Sequence, residues 1–571
     1  MEDRFSYGSR THEVKGHEAD WVFKDLHSAI SLGVSLKDFQ YVSINIEGGG
    51  VGARTLKNLP HLKSYVASMG NEFHEERGKT VGPVSLRGRS KCKFYARQDN
   101  DDLASYDYCA QEYFPELQRH LNDGSTVRFY SSPGAGADDE RGSMLYHASL
   151  WKDGQEIVPS ERFVEVVASM YPKTKFKNPL RRFDEQFSGA VRSVQATSSP
   201  GASYVLGATD GYIIENKLDL LRKIVYERLV LIASTPWKEF EQLSSTDCVE
   251  QGYCDFIRVF LKKEVVKWSK IFNKITHKPL EFPRYRIISS VSLVDQLIHR
   301  MVYTVQNKAE IKNYTYLMSK PGVGFSSNYC VHAFAETDLY HESRRQMKSK
   351  DDPDYCDYRC LDFEAWDWTV KFWQMMLDCD VRRTLVDHDD DKLMAKCHFL
   401  VCHSVFCLSN GELWEQVIPG MMKSGWFNTS STNSRIRSAT SLLFFGVLHW
   451  IIAMGDDSVE DDDPRIDAFC DWVDVMVGQT IPVGDRLKCE KGFVEFCSHQ
   501  FLLAGSQVNA RLLTWLRSLA KFCYSPKKSA EQIAGVLLAC RHCGEDLERL
   551  QAYFRMEHGE LFEEGLNILG Q

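Results

Sequence analysis

The apolar run Trp450-Ile451-Ile452-Ala453-Met454 ends directly against Gly455-Asp456-Asp457 and a further group of acids. Such a run favours a strand, and the glycine permits a tight reversal after it. Two adjacent carboxylates at that position repel one another, and desolvating them unpaired is costly. Something positive has to meet them, and this requirement constrains the fold more than any bulk property of the chain.

The chain has 571 residues, 43% of them apolar, enough for several compact lobes. No apolar run is long enough to span a membrane. The longest, "LLFFGVLHWIIAM" at 442–454, is broken by His449 and reads as core. The first residues lack the basic-then-apolar pattern of a secretory signal, which predicts a cytosolic setting. Seventeen cysteines without a framework pattern read as free, buried thiols. Cys540 and Cys543 form a lone CxxC, and Cys397, His398, Cys402, His403 and Cys407 lack the second pair that would complete a zinc site. The net charge of -9 argues against a nucleic-acid partner, yet residues 251–300 carry ten lysines and arginines against four acids. Acids crowd 351–391 and 455–474 instead. A basic stretch and an acidic stretch in one chain suit a partner that carries both phosphates and metal ions.

Glycine- and serine-rich stretches at 46–54, 131–141, 197–211, 319–328 and 347–358 read as loops. The first has no Gly-Lys-Ser/Thr and reads as a plain turn rather than a phosphate loop. Apolar spacing predicts helices over 219–234, 292–311 and 429–448, and helix throughout from about 504 onward. The acids of "SVEDDD", 458–463, read as a solvated turn.

Three stretches accompany the paired aspartates. In "CLDFEAWDWTVKFW", 360–373, Asp362 and Asp367 sit where a strand passes into a turn or helix. If Asp362 ends that strand beside Asp456, two Mg²⁺ ions held by carboxylate oxygens and substrate phosphates answer the opening requirement. In "KSGWFNTSSTNS", 423–434, Ser424 and Gly425 precede Thr429 and Asn433, which share a helical face. Those small polar groups suit a sugar hydroxyl, or simply a helix cap. In the basic stretch 260–296, Arg286 and either Lys262 or Lys263 suit a triphosphate, whereas Lys267, Lys270 and Lys274 individually read as solvated surface.

In this order and at these separations, Asp362-x4-Asp367, Gly425-x3-Thr429-x3-Asn433 and Gly455-Asp456-Asp457 resemble motifs A, B and C of a viral RNA-dependent RNA polymerase, with motif F in the basic stretch. The strings "WDWTV", "RIISSVSLVDQ", "KPGVGFSS", "SSPGASYVLGATDG" and "VEFCSHQF" are similar to the sobemovirus-like (solemovirus) group, over about 197–505. The resemblance implies an α+β right-hand fold: fingers over 1–290, a palm of antiparallel sheet flanked by helices over 291–503 with a fingers insertion near 385–420, and a helical thumb over 504–571. It implies RNA synthesis on an RNA template, replicating a positive-strand viral genome.

The resemblance also implies roles. Asp362, Asp456 and Asp457, with Phe363 beside Asp362, form the metal set for Mg²⁺, with Mn²⁺ as substitute. Lys488, or alternatively Lys491, protonates departing pyrophosphate. Lys262, Lys263, Arg286, Asp367, Ser424, Gly425, Thr429 and Asn433 bind the nucleotide, while Ser199, Pro200, Gly201, Cys497 and Ser498 contact RNA. Implied partners are template and nascent RNA, nucleoside triphosphates, a viral protein primer, and host membranes reached peripherally through other proteins, in cytoplasmic replication complexes. The group commonly has a Ser-Gly pair between its motif A acids, where Glu364-Ala365-Trp366 stand here. Two rivals remain. A reverse transcriptase would normally carry an aromatic residue in place of Gly455 and a bulky one in place of Asp367. A non-catalytic RNA-binding scaffold would have no need to keep both Asp362 and Asp456.

Overall fold

The computed structural model describes residues 4–7, 10–13, 55–94, 105–118, 127–131, 136–202, 209–321, 324–325, 358–387, 392–489, 493–502 and 509–570. Helices and strands are interspersed along the chain, and the strands gather into separate sheets.

Four antiparallel strands carry the acids, in spatial order Ile451–Met454, Asp457–Asp461, Tyr358–Leu361 and Arg486–Lys488. Both faces of the first strand are covered. Ile451 packs with Ala439 and Leu442 of the helix Thr429–Phe445, while Ile452 packs with Val459, Phe496 and Phe501. Double coverage explains why the run is continuously apolar rather than alternating. Met454 pairs with Asp457, leaving Gly455 and Asp456 as a two-residue reversal. Gly455 has φ +70°, the positive first position of a II′ hairpin turn.

A second sheet runs Glu72–Phe73, Val84–Arg89, Glu412–Gln416, Val405–Cys407, Ile257–Leu261, Ile287–Ser290, with Thr80–Val81 also paired to Val84–Arg89. Residues 405–416 therefore join strands from the N-terminal half. A third sheet contains Phe493–Phe496, His499–Leu502 and Asn509–Leu512. The helices Trp515–Cys523, Ala530–Ala539, Glu545–Glu557 and Gly559–Ile568 follow, and their core includes Phe114, Leu117, Val127 and Phe129.

The helices expected over 219–234, 292–311 and 429–448 are Leu218–Ser234, Leu293–Lys312 and Thr429–Phe445. Four expectations need correction. Asn509–Leu512 is a strand rather than helix, because Ala510 and Leu512 face inward at two-residue spacing. The stretch 458–463 is not a solvated turn. Asp457–Asp461 is a strand in which Glu460 is fully buried, with Arg437 Nη2 at 2.5 Å and the Ser441 hydroxyl donating at 2.9 Å. Nor is 442–454 core throughout, since the helix stops at Phe445, Gly446 turns with φ +103°, and Leu448 is exposed. The loop expected over 131–141 gives way to the helix Ala137–Ser149. The stretches 46–54 and 347–357 lie outside the described residues.

Buried charge fixes the helix Thr429–Phe445 in place. Asp378 accepts from Arg382 Nε at 2.9 Å and from the Thr432 hydroxyl at 2.8 Å, pairs with His398 Nε2 at 2.9 Å, and meets Arg435. Arg435 also meets Glu310. These contacts hold Asp378 below the usual carboxylate range despite its burial, with Arg382 and His398 outweighing desolvation.

Candidate active site

Asp362 and Asp456 emerge side by side from the acid-bearing sheet. Leu361 lies opposite Ser458, so Asp362 leaves its strand next to the reversal that holds Asp456. The Asp362 amide donates to the Asp485 carbonyl at 3.2 Å, and the Gly455 amide donates to Ser434 Oγ at 2.9 Å. The helix Thr429–Phe445 thus pins the reversal from behind.

These carboxyls feel one another. Burial, followed by Asp456, Asp457 and Asp485, pushes Asp362 up to about 7, with Arg437 opposing. Burial, Asp456 and Glu495 push Asp457 up to about 6. Asp456 is raised by burial, with Arg286 and Arg437 among the opposing influences. Among the described residues no three His, Cys, Asp or Glu side chains converge tightly enough to hold a metal ion. The acids nevertheless form a hard oxygen-donor set with excess negative charge, which fits Mg²⁺. Phe363 is buried between Trp366 and the Arg437 guanidinium, with ring-centroid distances of 4.8 Å to each.

Asp367 lies in the helical turn Trp366–Thr369, entered through Ala365 at φ +48°. Asn433 Nδ2 donates to Asp367 Oδ1 at 2.9 Å, and Asn433 Oδ1 is buried without a hydrogen-bond partner. Burial and Asp456 push Asp367 up to about 7, against Asn433 and Arg286. The two candidates therefore make a polar pair with an open acceptor beside Asp456.

Ser424, Gly425 and Thr429 are nearby in sequence but already engaged. Ser424 Oγ accepts from the Ser289 amide at 3.0 Å, and the Gly425 amide donates to the Ser289 carbonyl at 3.1 Å. The Thr429 hydroxyl lies 2.7 Å from the Lys423 carbonyl and 2.8 Å from that of Trp426. The loop is tied down by Lys423, whose buried ammonium donates to Gln416 Oε1, Gly420 O and Met421 O at 2.6–3.1 Å.

Lys262 and Arg286 are joined by a 2.8 Å bond from the Lys262 amide to the Arg286 carbonyl, and Arg286 acts electrostatically on both Asp367 and Asp456. Lys263 is exposed next to them. Ser199 Oγ accepts from Arg258 Nη1 at 3.0 Å, and the Pro200 carbonyl accepts from the Leu293 amide at 2.9 Å. Gly201 has φ +70°, and a Cβ there would lie 2.9 Å from Ser292 Cα. Cys497 and Ser498, at φ +51° and +59°, form the reversal between Phe493–Phe496 and His499–Leu502. Burial, Asp457 and Asp456 raise the Cys497 thiol, so this reversal also faces the acids. Lys488 ends the strand Arg486–Lys488 opposite Arg359, its side chain lying outside the described residues together with Lys491.

Sequence reasoning missed Ser434, Lys423, Asp485 and Glu495. Ser434 follows Asn433 directly, but nothing in the string shows that its hydroxyl meets Gly455. Asp485 comes from the helical turn Val483–Asp485 and Glu495 from the strand Phe493–Phe496, so tertiary packing brings them to the acids.

A model of viral RNA-directed RNA polymerase matches residues 147–341 and 360–469. The replicase polyprotein P2AB of Southern cowpea mosaic virus is 30% identical over 509 residues, covering 86% of this chain and 48% of that protein. The replicase polyprotein P2AB of Southern bean mosaic virus is 31% identical over 510 residues, covering 84% and 46%. "Protein P1-P2" of Potato leafroll virus is 30% identical over 443 residues, covering 73% and 39%. The chain therefore spans about half or less of the length of these relatives. In three dimensions it is similar to the Sicinivirus 3Dpol RNA dependent RNA polymerase, with TM-score 0.52 and 13% identity over 79% of this chain and 95% of the other. That likeness gives the α+β right-hand fold. On motif order, site geometry and these matches together, the chain belongs to the viral RNA-directed RNA polymerase family.

Proposed function

We propose that this chain extends RNA on an RNA template by two-metal nucleotidyl transfer, replicating a positive-strand viral genome. The observation that carries the reading is the meeting of Asp362 and Asp456 beside the Asp367–Asn433 pair. Fingers over 1–290, with an insertion near 385–420, palm over 291–503 and thumb over 504–571 are the matching lobes, again as proposals.

Asp362 and Asp456 would hold the two Mg²⁺ ions, with Asp457 and the Phe363 peptide beside them. When bound, the ions supply charge stabilisation for the attacking and leaving oxygens. The protein's own groups do the rest. Arg286 and Lys262, with Lys263 alongside, neutralise the triphosphate, and the Asn433–Asp367 pair reads the ribose 2′-hydroxyl, which separates RNA from DNA substrates. Ser424, Gly425 and Thr429 shape the wall behind that pair. The 3′-hydroxyl of the growing strand gives up its proton to solvent as its oxygen bonds to the α-phosphorus and the bridge to the β-phosphate breaks. Lys488 then delivers a proton to the departing pyrophosphate, help worth roughly 10²- to 10⁴-fold for a general acid. The Cys497–Ser498 reversal steadies the growing end, and Ser199-Pro200-Gly201 guides the template through backbone contacts. Host cytoplasm is the setting this reading implies.

The test is nucleotide incorporation on a short RNA by wild type and Asp456→Ala. Abolished synthesis with retained RNA binding supports the reading, and retained synthesis removes the metal assignment. Wild type that binds RNA yet adds nothing with either Mg²⁺ or Mn²⁺ would favour the scaffold alternative, whereas a preference for deoxynucleotides would favour reverse transcription.

A further inference from the structure

Lys262, Arg286 and Arg517 come from three parts of the chain, the last from the C-terminal helix Trp515–Cys523. They share one carboxylate. Glu264 Oε2 lies 3.5 Å from Lys262 Nζ, 3.8 Å from Arg286 Nη1 and 3.1 Å from Arg517 Nη2. The Glu264 side chain is 12% exposed, whereas those of the three cations are 42%, 61% and 40% exposed. The acid therefore lies beneath and the cations reach outward.

Arg517 is held twice, because its Nε also donates to the Val265 carbonyl at 2.9 Å. Lys270 belongs to the same field: burial, Arg517 and Arg286 push its ammonium down, as burial and Arg286 do for Lys262. Among the described residues Glu264 is shared by these four cations, and Asp367 and Asp456 act on Arg286 as well, so cations still outnumber acids and positive charge remains for an outside anion to neutralise. At 3.5–3.8 Å the carboxylate orients Lys262 and Arg286 without using up their donors, which stay available to phosphate oxygens. Exposed ion pairs as such contribute little to stability, so seating the C-terminal helices does not by itself account for gathering these cations on one acid.

We propose that Glu264 is a positioning residue that aims Lys262 and Arg286 at the nucleotide triphosphate, and that Arg517 is a further cation of that site, supplied by the C-terminal helices. This inference rests on the RNA-synthesis reading above and adds a coupling to it. Because one carboxylate serves both the 257–290 segment and Arg517, triphosphate binding and the seating of the C-terminal helices on that segment reinforce each other.

Inorganic pyrophosphate is the probe, titrated calorimetrically into the full chain without RNA, alongside KM and kcat for incorporation. Glu264→Gln and Arg517→Ala should each weaken pyrophosphate binding by about fivefold, raise the nucleotide KM by a similar factor and leave kcat within about twofold. Arg517→Lys should restore most of the affinity. Should Glu264→Gln fail to fold, the partly exposed Arg517→Ala and Arg517→Lys pair carries the test. Unchanged pyrophosphate affinity and KM in these variants would overturn the inference while leaving polymerisation intact. Wild type that binds pyrophosphate, with the variants weakened, but incorporates nothing would instead sink the RNA-synthesis reading and leave the anion site standing.

Discussion

Asn433 uses its amide nitrogen on Asp367 at 2.9 Å and leaves its amide oxygen buried and unpaired. An acceptor left so costs roughly 1–3 kcal/mol, which a donor from a bound substrate recovers. A ribose 2′-hydroxyl is such a donor, and a 2′-deoxyribose lacks that hydroxyl. Asn433→Ala is therefore expected to lower the ribonucleotide-to-deoxynucleotide ratio of kcat/KM by about tenfold or more, on the general scale of hydroxyl-reading sites. An unchanged ratio removes Asn433 from the sugar site.

Protonation of the acids gives a second expectation. Asp362 and Asp367 are pushed up to about 7 and Asp457 to about 6, so each binds its proton more tightly folded than unfolded. Stability from such groups is complete below the ordinary carboxylate range, declines as pH rises, and is lost once pH passes the folded values near 6 to 7. Without divalent ions, melting temperature should fall between about pH 5 and about pH 8. Added Mg²⁺ should raise it more at the higher pH, where the acids are ionised and repel. Asp362→Asn should flatten both trends. Mg²⁺ stabilisation that is equal at both pH values would argue against these acids as the binding set.

The motif strings and the elements that carry them were legible because both are local: Asp362 follows a strand, Gly455-Asp456-Asp457 turns between two strands, and Asp367 and Asn433 lie in the helices Trp366–Thr369 and Thr429–Phe445. What was hidden depends on which elements meet. Glu460 looks like one more surface acid until a strand turns it onto Arg437, and Asn509–Leu512 looks helical until its partner His499–Leu502 is present. The role of Glu264 is likewise invisible without Arg517, 253 positions away by number.

Gly425 tests how closely the loop before Asn433 must approach the strand that follows Arg286. A Cβ at Gly425 would sit 2.5 Å from the Ser289 carbonyl oxygen, a backbone atom that cannot swing aside. Gly425→Ala should therefore separate the loop from Ile287–Ser290 and disturb the sugar and triphosphate groups together. The expected outcome is a loss of incorporation of about 10²-fold, the scale of roughly 1 Å misplacements, with the overall fold retained by circular dichroism. Full activity in this variant would show that the two elements need not touch.

Ala365 has φ +48°, a conformation disfavoured for any side chain with a Cβ. Glycine relieves roughly 1–2 kcal/mol of that strain but adds about 0.4–1 kcal/mol of unfolded-chain entropy. Ala365→Gly should thus gain between about 0 and 1.6 kcal/mol, seen as a small rise in melting temperature. Activity should stay close to wild type, because the turn that presents Asp367 keeps its backbone path. A fall in melting temperature would mean that the Ala365 methyl contributes packing that outweighs the strain.

Asp378 is the opposite case, a residue outside the candidate site that supports the helix carrying Asn433. It is fully buried and engages Arg382, Arg435, His398 and Thr432 at once. Removing its charge leaves two buried guanidinium groups short of an anion, a loss of about 3–5 kcal/mol for one broken buried pair. Arg435 retains Glu310, so its position is partly protected, while among the described residues Arg382 keeps neutral hydrogen-bond partners such as Gln306, Asn307 and Ser431. Asp378→Ala should therefore express poorly or melt far below wild type. Asp378→Asn, which preserves shape and some hydrogen bonds, should melt in between. The helix Thr429–Phe445 carries Thr432 and Arg435 on the supported side, and Asn433 and Ser434 reach Asp367 and Gly455 from the same helix. Any folded Asp378→Asn protein should accordingly lose sugar discrimination along with stability, and intact discrimination would show that the helix is held well enough without this acid.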